Sequence, residues 1–258
     1  MKKLLLIMSA ILLSGSSYAG VTGSVGVDFS ENTAGDVIAT KDIDLDISSD
    51  VGFASIAVIT NASDELVLDE YALGVKGPKG SISYGDQGDI FIGGGLEKVG
   101  ADTLANPSDA GESIMAIHKN TSVRFKFTDT GVDVTDFDTI QVKHAIKLGD
   151  SGSVAGSVDH TIDTDHNIFA IEGKIDAGTH TITTVATHDE NLANPTAAEA
   201  ILSTRGLSLY INGDESDWTQ NAGAGYKSTY NSVDWYIEAG YNMDSEEVTP
   251  AAGVSVNF

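Results

Sequence analysis

Most of the chain alternates between apolar and polar residues in short segments, which Gly, Asp, Asn and Ser residues separate. In "VIATKDIDLDIS", Ile43, Leu45 and Ile47 alternate with acidic residues. The same period of two recurs in "SVRFKF", "SVDWYIEAGY" and the closing "AAGVSVNF". This period places successive side chains on opposite faces of a β-strand. The pattern therefore predicts an all-β chain whose strands each have one apolar and one polar face.

Two features favour a membrane barrel over a soluble antiparallel sheet, which alternates in the same way. The apolar faces carry single Val, Ile, Ala and aromatic residues rather than clusters, while full charges recur on the polar faces. Aromatic rings also recur near the strand ends, as they do in the girdles at the two interfaces of membrane barrels. These rings belong to Phe29, Phe53, Tyr71, Phe125, Phe127, Tyr226, Tyr230, Trp235, Tyr241 and Phe258.

We therefore predict an antiparallel transmembrane β-barrel of about 14 strands, within a range of about 12 to 16, since a spanning strand needs about 9–11 residues. The strands are expected to begin near residues 20, 37, 51, 66, 80, 121, 138, 152, 167, 179, 205, 217, 232 and 248. An even number places both termini at the periplasmic end. Residues 86–119 and 188–204 lack clean alternation and are predicted to be long connections, the second with room for a short helical turn.

The first 19 residues have the organisation of a bacterial secretory signal peptide. Lys2 and Lys3 precede an apolar run, and Ser17 and Ala19 occupy the −3 and −1 positions of a cleavage site before Gly20. The apolar run is too short to span a bilayer of about 30 Å as a helix. We expect residues 1–19 to be removed and residues 20–258 to form one outer-membrane barrel domain.

Acidic residues outnumber basic ones by 38 to 14. Removal of Lys2 and Lys3 leaves 12 basic residues and a formal charge of −26. Such a charge disfavours nucleic acid and anionic lipid headgroups as partners. The chain has no cysteine, its histidines are scattered, and no nucleophile motif or catalytic carboxylate pair is recognisable. We therefore expect no enzymatic activity, no cofactor and no resident metal.

Three stretches resemble the general trimeric porins of Gram-negative outer membranes. Residues 70–87, "EYALGVKGPKGSISYGDQ", match a glycine-rich strand pair of that family through Leu73, Gly77, Gly80 and Gly85. Residues 120–125, "NTSVRF", are similar to the segment that resumes the barrel after the long third loop. Residues 248–258 form the closing strand, which ends in Phe258.

The resemblance implies a homotrimeric, water-filled channel in the outer membrane lipid, through which small hydrophilic solutes and ions diffuse passively. It implies a third loop that folds into the barrel and faces a basic wall. The loop acids are then Asp86, Asp89, Glu97, Asp102, Asp109 and Glu112. The opposing wall is Arg124, Lys126 and Lys143. The resemblance also implies that the barrel assembly machinery reads Phe258, and the acidic excess leads us to expect cation preference.

Two other hypotheses remain at this point. A narrow structural or adhesion barrel could bind a partner through its extracellular loops without conducting. An exported soluble β-sandwich would also alternate with a period of two. Conductance measurements distinguish a channel from a non-conducting barrel. Dependence on detergent for solubility distinguishes both barrels from a soluble β-sandwich.

Overall fold

The computed structural model describes residues 20–31, 37–60, 65–87, 90, 104, 111–127 and 137–258. The predicted signal peptide, residues 1–19, lies outside this part of the chain. Among the described residues, no helix is long and apolar enough to cross a membrane. The regular structure that they form is a series of sixteen β-strands.

The first eight strands are β1 (Gly20–Glu31), β2 (Val37–Ser48), β3 (Gly52–Thr60), β4 (Leu66–Gly77), β5 (Gly80–Asp86), β6 (Glu112–His118), β7 (Thr121–Phe127) and β8 (Phe137–Lys147). The second eight are β9 (Gly152–Thr161), β10 (His166–Ala177), β11 (His180–Asp189), β12 (Thr196–Thr204), β13 (Leu207–Asp214), β14 (Asn221–Tyr230), β15 (Val233–Asn242) and β16 (Glu247–Asn257). Each strand pairs antiparallel with its neighbours in the chain, and β1 pairs with β16, so the sheet closes into a barrel.

The seam between β1 and β16 is hydrogen-bonded to its very end. The Gly23 N–H donates to the Phe258 carbonyl at 3.1 Å, and the Phe258 N–H donates back to Gly23 at 2.9 Å. The Phe258 ring also lies where a side chain on residue 23 would project. A closed sheet leaves no edge with unpaired backbone groups, which is the condition for strands to cross hydrocarbon.

The two ends of the barrel differ in their connections. At one end, here called the turn end, seven turns of two to four residues join the strands, and Gly20 and Phe258 lie there too. In the turn at Arg205 and Gly206 both residues have positive φ, 47° and 87°, as the tight primed turns of twisted hairpins require. At the opposite loop end, the longest connection is the third loop, residues 87–111, between β5 and β6.

The apolar face of the sheet is the outer surface of the barrel. On β15, Trp235, Ile237 and Tyr241 are exposed, while the alternating Glu238 is buried on the other face. The polar face is the inner one, because Leu104 of the third loop packs against residues that share a face with Asp159 and Glu199. The predicted alternation between an apolar and a polar face is therefore confirmed.

The barrel has sixteen strands, two more than the expected number of about 14 and at the upper end of the predicted range. The two missed strands, β6 and β12, lie in the segments that were predicted to be long connections, and β12 replaces the expected helical turn. "NTSVRF" consequently belongs to β7, and the barrel resumes after the third loop at β6. The inner face of β6 carries Ser113, Met115 and Ile117, and that of β12 carries Ala197 and Ile201 beside Glu199 and Ser203. Neither strand therefore shows the clean alternation that marks a water-facing wall.

Aromatic rings cluster on the outer surface near both ends. Toward the loop end, the Phe137 ring lies 5.4 Å from Phe125 and 5.1 Å from Phe127 between centroids. Toward the turn end, the Tyr226 and Trp235 rings are 5.4 Å apart. Such rings suit the two interfaces of a bilayer, where an apolar body and a polar edge are both accommodated. Phe53 differs, because its ring lies on the inner face, where Gly74 makes room for it.

Candidate functional site

The third loop reaches the inner wall on the far side from its own strands. Leu104, near the middle of the loop, is buried in a cluster with Ala155, Ile168, Ala170, Val185 and Ala197. These five residues line the inner face of β9 to β12, and Leu104 is the one apolar contact from the loop that the described residues include. Small side chains on the wall leave space for the leucine. The loop therefore lies within the barrel at this point.

The two ends of the third loop converge on the guanidinium group of Arg124. This side chain projects inward from β7 and has no solvent exposure. Its Nη2 donates to the carbonyl of Gln87, where the loop begins, and to the carbonyl of Gly111, where it ends, the latter at 3.5 Å. Its Nε donates to Ser113 Oγ at 3.0 Å. A single planar cation thus joins both ends of the loop to the wall.

Neighbouring strands extend this network along the inner wall. Arg124 Nη1 donates to Gln141 Oε1 on β8 at 3.4 Å, and Gln141 Nε2 donates to Asp159 Oδ2 on β9 at 2.8 Å. Gln87 Nε2 in turn donates to the Ser113 carbonyl at 3.3 Å. Gln141 has no solvent exposure and Asp159 is buried. Buried polar groups that are connected in this way fix one another's positions.

A second polar series stiffens the wall from β12 to β15. Asn242 donates to Asn221 at 2.9 Å, Asn221 to Asn212 at 3.0 Å, and Asn212 to Glu199 at 3.2 Å. The donors all point the same way, and the series ends on a carboxylate that can accept but not donate when ionised. Because these residues occupy paired positions on adjacent strands, the hydrogen bonds reinforce the strand register.

Carboxylates cover another part of the inner surface, here called the acidic wall. It comprises Asp28, Asp42, Asp44, Asp46, Glu70 and Asp234, on β1, β2, β4 and β15. The three residues on β2 face the interior at alternate positions, about 7 Å apart along the strand. All six side chains are at least partly exposed, unlike Arg124.

Two cavities that are large enough for water lie against the acidic wall. Two adjoining cavities of about 640 and 580 Å³ share Ser24 and Asp44 in their linings. Ser24 Oγ donates to Asp44 Oδ2 at 2.9 Å, and Tyr236 Oη donates to Asp28 Oδ1 at 2.8 Å across the seam. Asp28 and Tyr236 meet above Gly253, where an added methyl group would lie 2.3 Å from each. Because Gly253 has no side chain, Asp28 and Tyr236 can contact each other directly above it.

The predicted basic wall lies on the inner face, but its members differ in exposure. Strand pairing places Arg124 and Lys126 on β7 and Lys143 on β8 toward the interior. Arg124 and Lys126 are buried, and Lys143 is half-buried. The basic groups on β7 are therefore shielded from the lumen, whereas the acidic wall is accessible to it.

The predicted loop acids fall into two groups. Asp89, Glu97, Asp102 and Asp109 lie outside the described residues. Asp86 and Glu112 pair directly with each other and, by register, face away from the interior. Tyr71 and Tyr84 both donate their hydroxyl hydrogens to Glu112, and Asp86 Oδ1 accepts from the Gly111 N–H at 3.0 Å. These two acids therefore lie on the outer face, where the third loop begins and where it ends.

Sequence reasoning did not identify the acidic wall as a site. It placed Asp42, Asp44 and Asp46 on a polar face but gave them no role, and it did not single out Glu70 or Asp234. The available signal was the run of three acidic residues at a period of two. No group of three or more His, Cys, Asp or Glu residues in the described part of the chain is arranged to hold a metal ion.

Comparison with known proteins finds similar folds among solved structures. No protein-family model and no curated protein sequence matches the chain. The fold is similar to a mutant of Rh. blastica porin, with a TM-score of 0.67, 10% identity, and coverage of 93% of this chain and 100% of that one. It is also similar to a loop-deletion mutant of OmpT, an outer membrane protein of Vibrio cholerae, with a TM-score of 0.59, 14% identity, and coverage of 93% and 99%. At these identities the likeness shows the fold, a porin-like closed barrel.

Proposed function

We propose that this protein is a porin of the Gram-negative outer membrane, through which small hydrophilic solutes and ions diffuse passively with a preference for cations. The proposal includes removal of residues 1–19 on export and recognition of Phe258 by the barrel assembly machinery. It also includes a homotrimer in outer-membrane lipid. The porin-like fold and the apolar outer surface support a membrane location.

The observation that carries the cation preference is the unequal exposure of charges on the inner surface. The acidic wall borders cavities that water can fill, while Arg124 and Lys126 are buried. The residues that line these two cavities include six carboxylates and one basic residue, Lys227, so a permeating ion meets mainly carboxylates there. A cation about 5 Å from one carboxylate gains about 1–3 kcal/mol at an effective dielectric constant between about 20 and 80. This attraction weakens as salt rises, since the Debye length falls to about 10 Å at 0.1 M.

Reconstitution into a planar bilayer tests this function. We expect stepwise conductance increments and, under a potassium chloride gradient, a reversal potential of the sign that cation permeation gives. The preference should decline as total salt rises, because mobile ions screen the acidic wall. The folded state is verified separately, by migration on gels that changes on heating and by dependence on detergent for solubility.

The outcomes separate the competing hypotheses. Anion preference in a conducting barrel would contradict the charge argument but not the channel. A folded, detergent-dependent barrel that does not conduct would support the structural or adhesion alternative. Mature protein that remains monodisperse in buffer without detergent would exclude both membrane hypotheses.

A further inference from the structure

We propose that Arg124 is a positioning residue that fixes both ends of the third loop and thereby holds Leu104 against the wall of β9 to β12, rather than a charge that permeating ions encounter. The consequence for conductance rests on the proposed channel function. The claim that Arg124 positions the third loop does not rest on that function, because the contacts are present in the folded protein whether or not it conducts.

The first argument is the geometry of the guanidinium group. Gln87 follows Asp86 and Gly111 precedes Glu112, the last pair of the β5–β6 ladder, so the two residues lie side by side at the wall. Both offer carbonyl oxygens to Arg124 Nη2. Nε and Nη1 are directed to Ser113 and Gln141. Only the planar, branched donor group of arginine can serve four acceptors in these directions. Lysine has a single side-chain nitrogen and would lose some of these hydrogen bonds.

The second argument is burial. Arg124 has no solvent exposure, so its charge is separated from the lumen by protein atoms. A buried cation is stable only when hydrogen-bond acceptors surround it, and hydrogen bonds to charged groups are stronger than neutral ones. The free energy that keeps Arg124 paired therefore adds to the pairing of β5 with β6 in holding Gln87 and Gly111 at the wall.

The third argument is that the loop has a separate contact on the other side of the barrel. Leu104 lies 17 positions after Gln87 and 7 before Gly111, and its contacts are apolar and mostly small. Alanine and valine neighbours give a leucine little directional restraint. The hydrogen bonds at the loop ends limit how far Leu104 can depart from the wall, and we expect the contact to loosen when they are removed.

A single introduced thiol measures this directly, because the natural chain has no cysteine. Leu104→Cys is labelled with a membrane-impermeant thiol reagent in the folded barrel, with and without Arg124→Met. We expect the labelling rate of Cys at this position to rise by about tenfold or more with Arg124→Met, the order expected from losing even one hydrogen bond to a charged group. Thr229→Cys, on the inner face of β14 and exposed, is the matched control and should label at the same rate in both backgrounds.

Arg124→Lys provides a second variant for the labelling test if Arg124→Met fails to fold. It retains the charge but not the branched donor set, so we expect an intermediate labelling rate. In bilayers it should increase current noise while leaving the reversal potential unchanged. Lys143→Met removes an inner-face charge without touching the loop ends, and should shift the reversal potential without changing the labelling of Leu104→Cys.

Two results would overturn the proposal. One is equal labelling of Leu104→Cys in the parent and in folded Arg124 variants. The other is an Arg124→Met channel that gains cation preference with no change in labelling, which is the behaviour of a pore charge. If the parent protein does not conduct at all, the channel function fails, and the labelling comparison still decides the role of Arg124.

Discussion

At the scale of single residues, exposure determines which charges can act on a solute. Asp42, Asp44 and Asp46 project from one strand into space that water can enter, and their neighbours leave them partly exposed. Arg124 faces the same interior but is buried and bonds to Gln87 and Gly111 at the two ends of the third loop. Charged side chains that share an inward orientation therefore differ in what they can contact. A carboxylate that borders water can act on an ion over several ångströms, whereas a buried guanidinium group acts through its hydrogen bonds.

Neutralising the acidic residues of β2 should reduce cation preference. Asp42→Asn, Asp44→Asn and Asp46→Asn together keep side-chain size and the capacity to accept from Ser24, so the barrel should remain folded. We expect the cation-to-anion permeability ratio from reversal potentials to fall by about fivefold, as the loss of about 1 kcal/mol of attraction implies. The matched control, Asp150→Asn with Asp163→Asn and Asp165→Asn, removes three exposed acids from connections between strands. An equal fall in the control would show that only total charge matters.

Strand periodicity predicted the orientation of Arg124 but not its burial. Orientation is a local property, set by the alternation of "SVRFKF". Burial depends on Gln87 and Gly111, which approach Arg124 only because the third loop returns to the wall. For the same reason Glu112 was assigned to the lumen: without knowledge that β6 begins there, its face could not be derived.

At the scale of elements, β12 illustrates a strand whose two faces have almost the same character. Its inward Ala197 contacts Leu104 rather than water, and its outward Ala200 faces away from the barrel. The period-2 signal disappears when the loop supplies an apolar surface inside. Its inward Glu199 still joins the hydrogen-bonded series with Asn212, so polar residues remain where the loop does not contact the wall.

An arginine on the outer face of β12 tests whether this segment crosses the membrane. Ala200→Arg should lower the free energy of unfolding in lipid by about 2–4 kcal/mol if residue 200 lies at the bilayer midplane, and by less toward the interfaces. Ala193→Arg, in the connection before β12, makes the same substitution at an exposed site and should change stability little. Urea unfolding in liposomes gives both values. Similar stability for the two variants would place residues 196–204 outside the hydrocarbon.

The elements that sequence reasoning identified are those with water on one side and an apolar environment on the other. All fourteen predicted starts fall within four residues of an observed strand, whereas β6 and β12 were missed. In β6, Met115 and Ile117 face inward between polar neighbours on β5 and β7. Alternation cannot reveal such strands, since apolar residues occur on their inner faces as well as on their outer faces.

At the scale of the whole molecule, closure depends on the seam. Gly23 pairs with Phe258 through two backbone hydrogen bonds, and the ring covers the glycine. A side chain at residue 23 would meet the Asp44 carbonyl at 2.5 Å as well as the ring, so only glycine fits there. The seam therefore combines backbone pairing with a specific ring contact.

Changes at Phe258 should separate these two contributions. Phe258→Ala keeps both backbone hydrogen bonds and loses the ring, whereas deletion of the residue loses all three contacts. We expect the folded yield in the outer membrane, measured by heat-modifiable migration, to fall for Phe258→Ala and to fall further for the deletion. Tyr230→Ala removes a ring that is more exposed, at the same end but away from the seam, and should have a small effect. Normal yield from the deletion variant would contradict a role for Phe258 in assembly.

The contact between Tyr236 and Asp28 joins residues 208 positions apart. Synthesis produces β1 first and β16 last, so β1 waits for its second neighbour until nearly the whole polypeptide exists. A growing chain cannot enter hydrocarbon one hairpin at a time, since each intermediate would carry an edge of unpaired backbone. For the proposed outer-membrane barrel, we therefore expect the polypeptide to remain unfolded until it is complete and to insert only when both partners of the final pair are present.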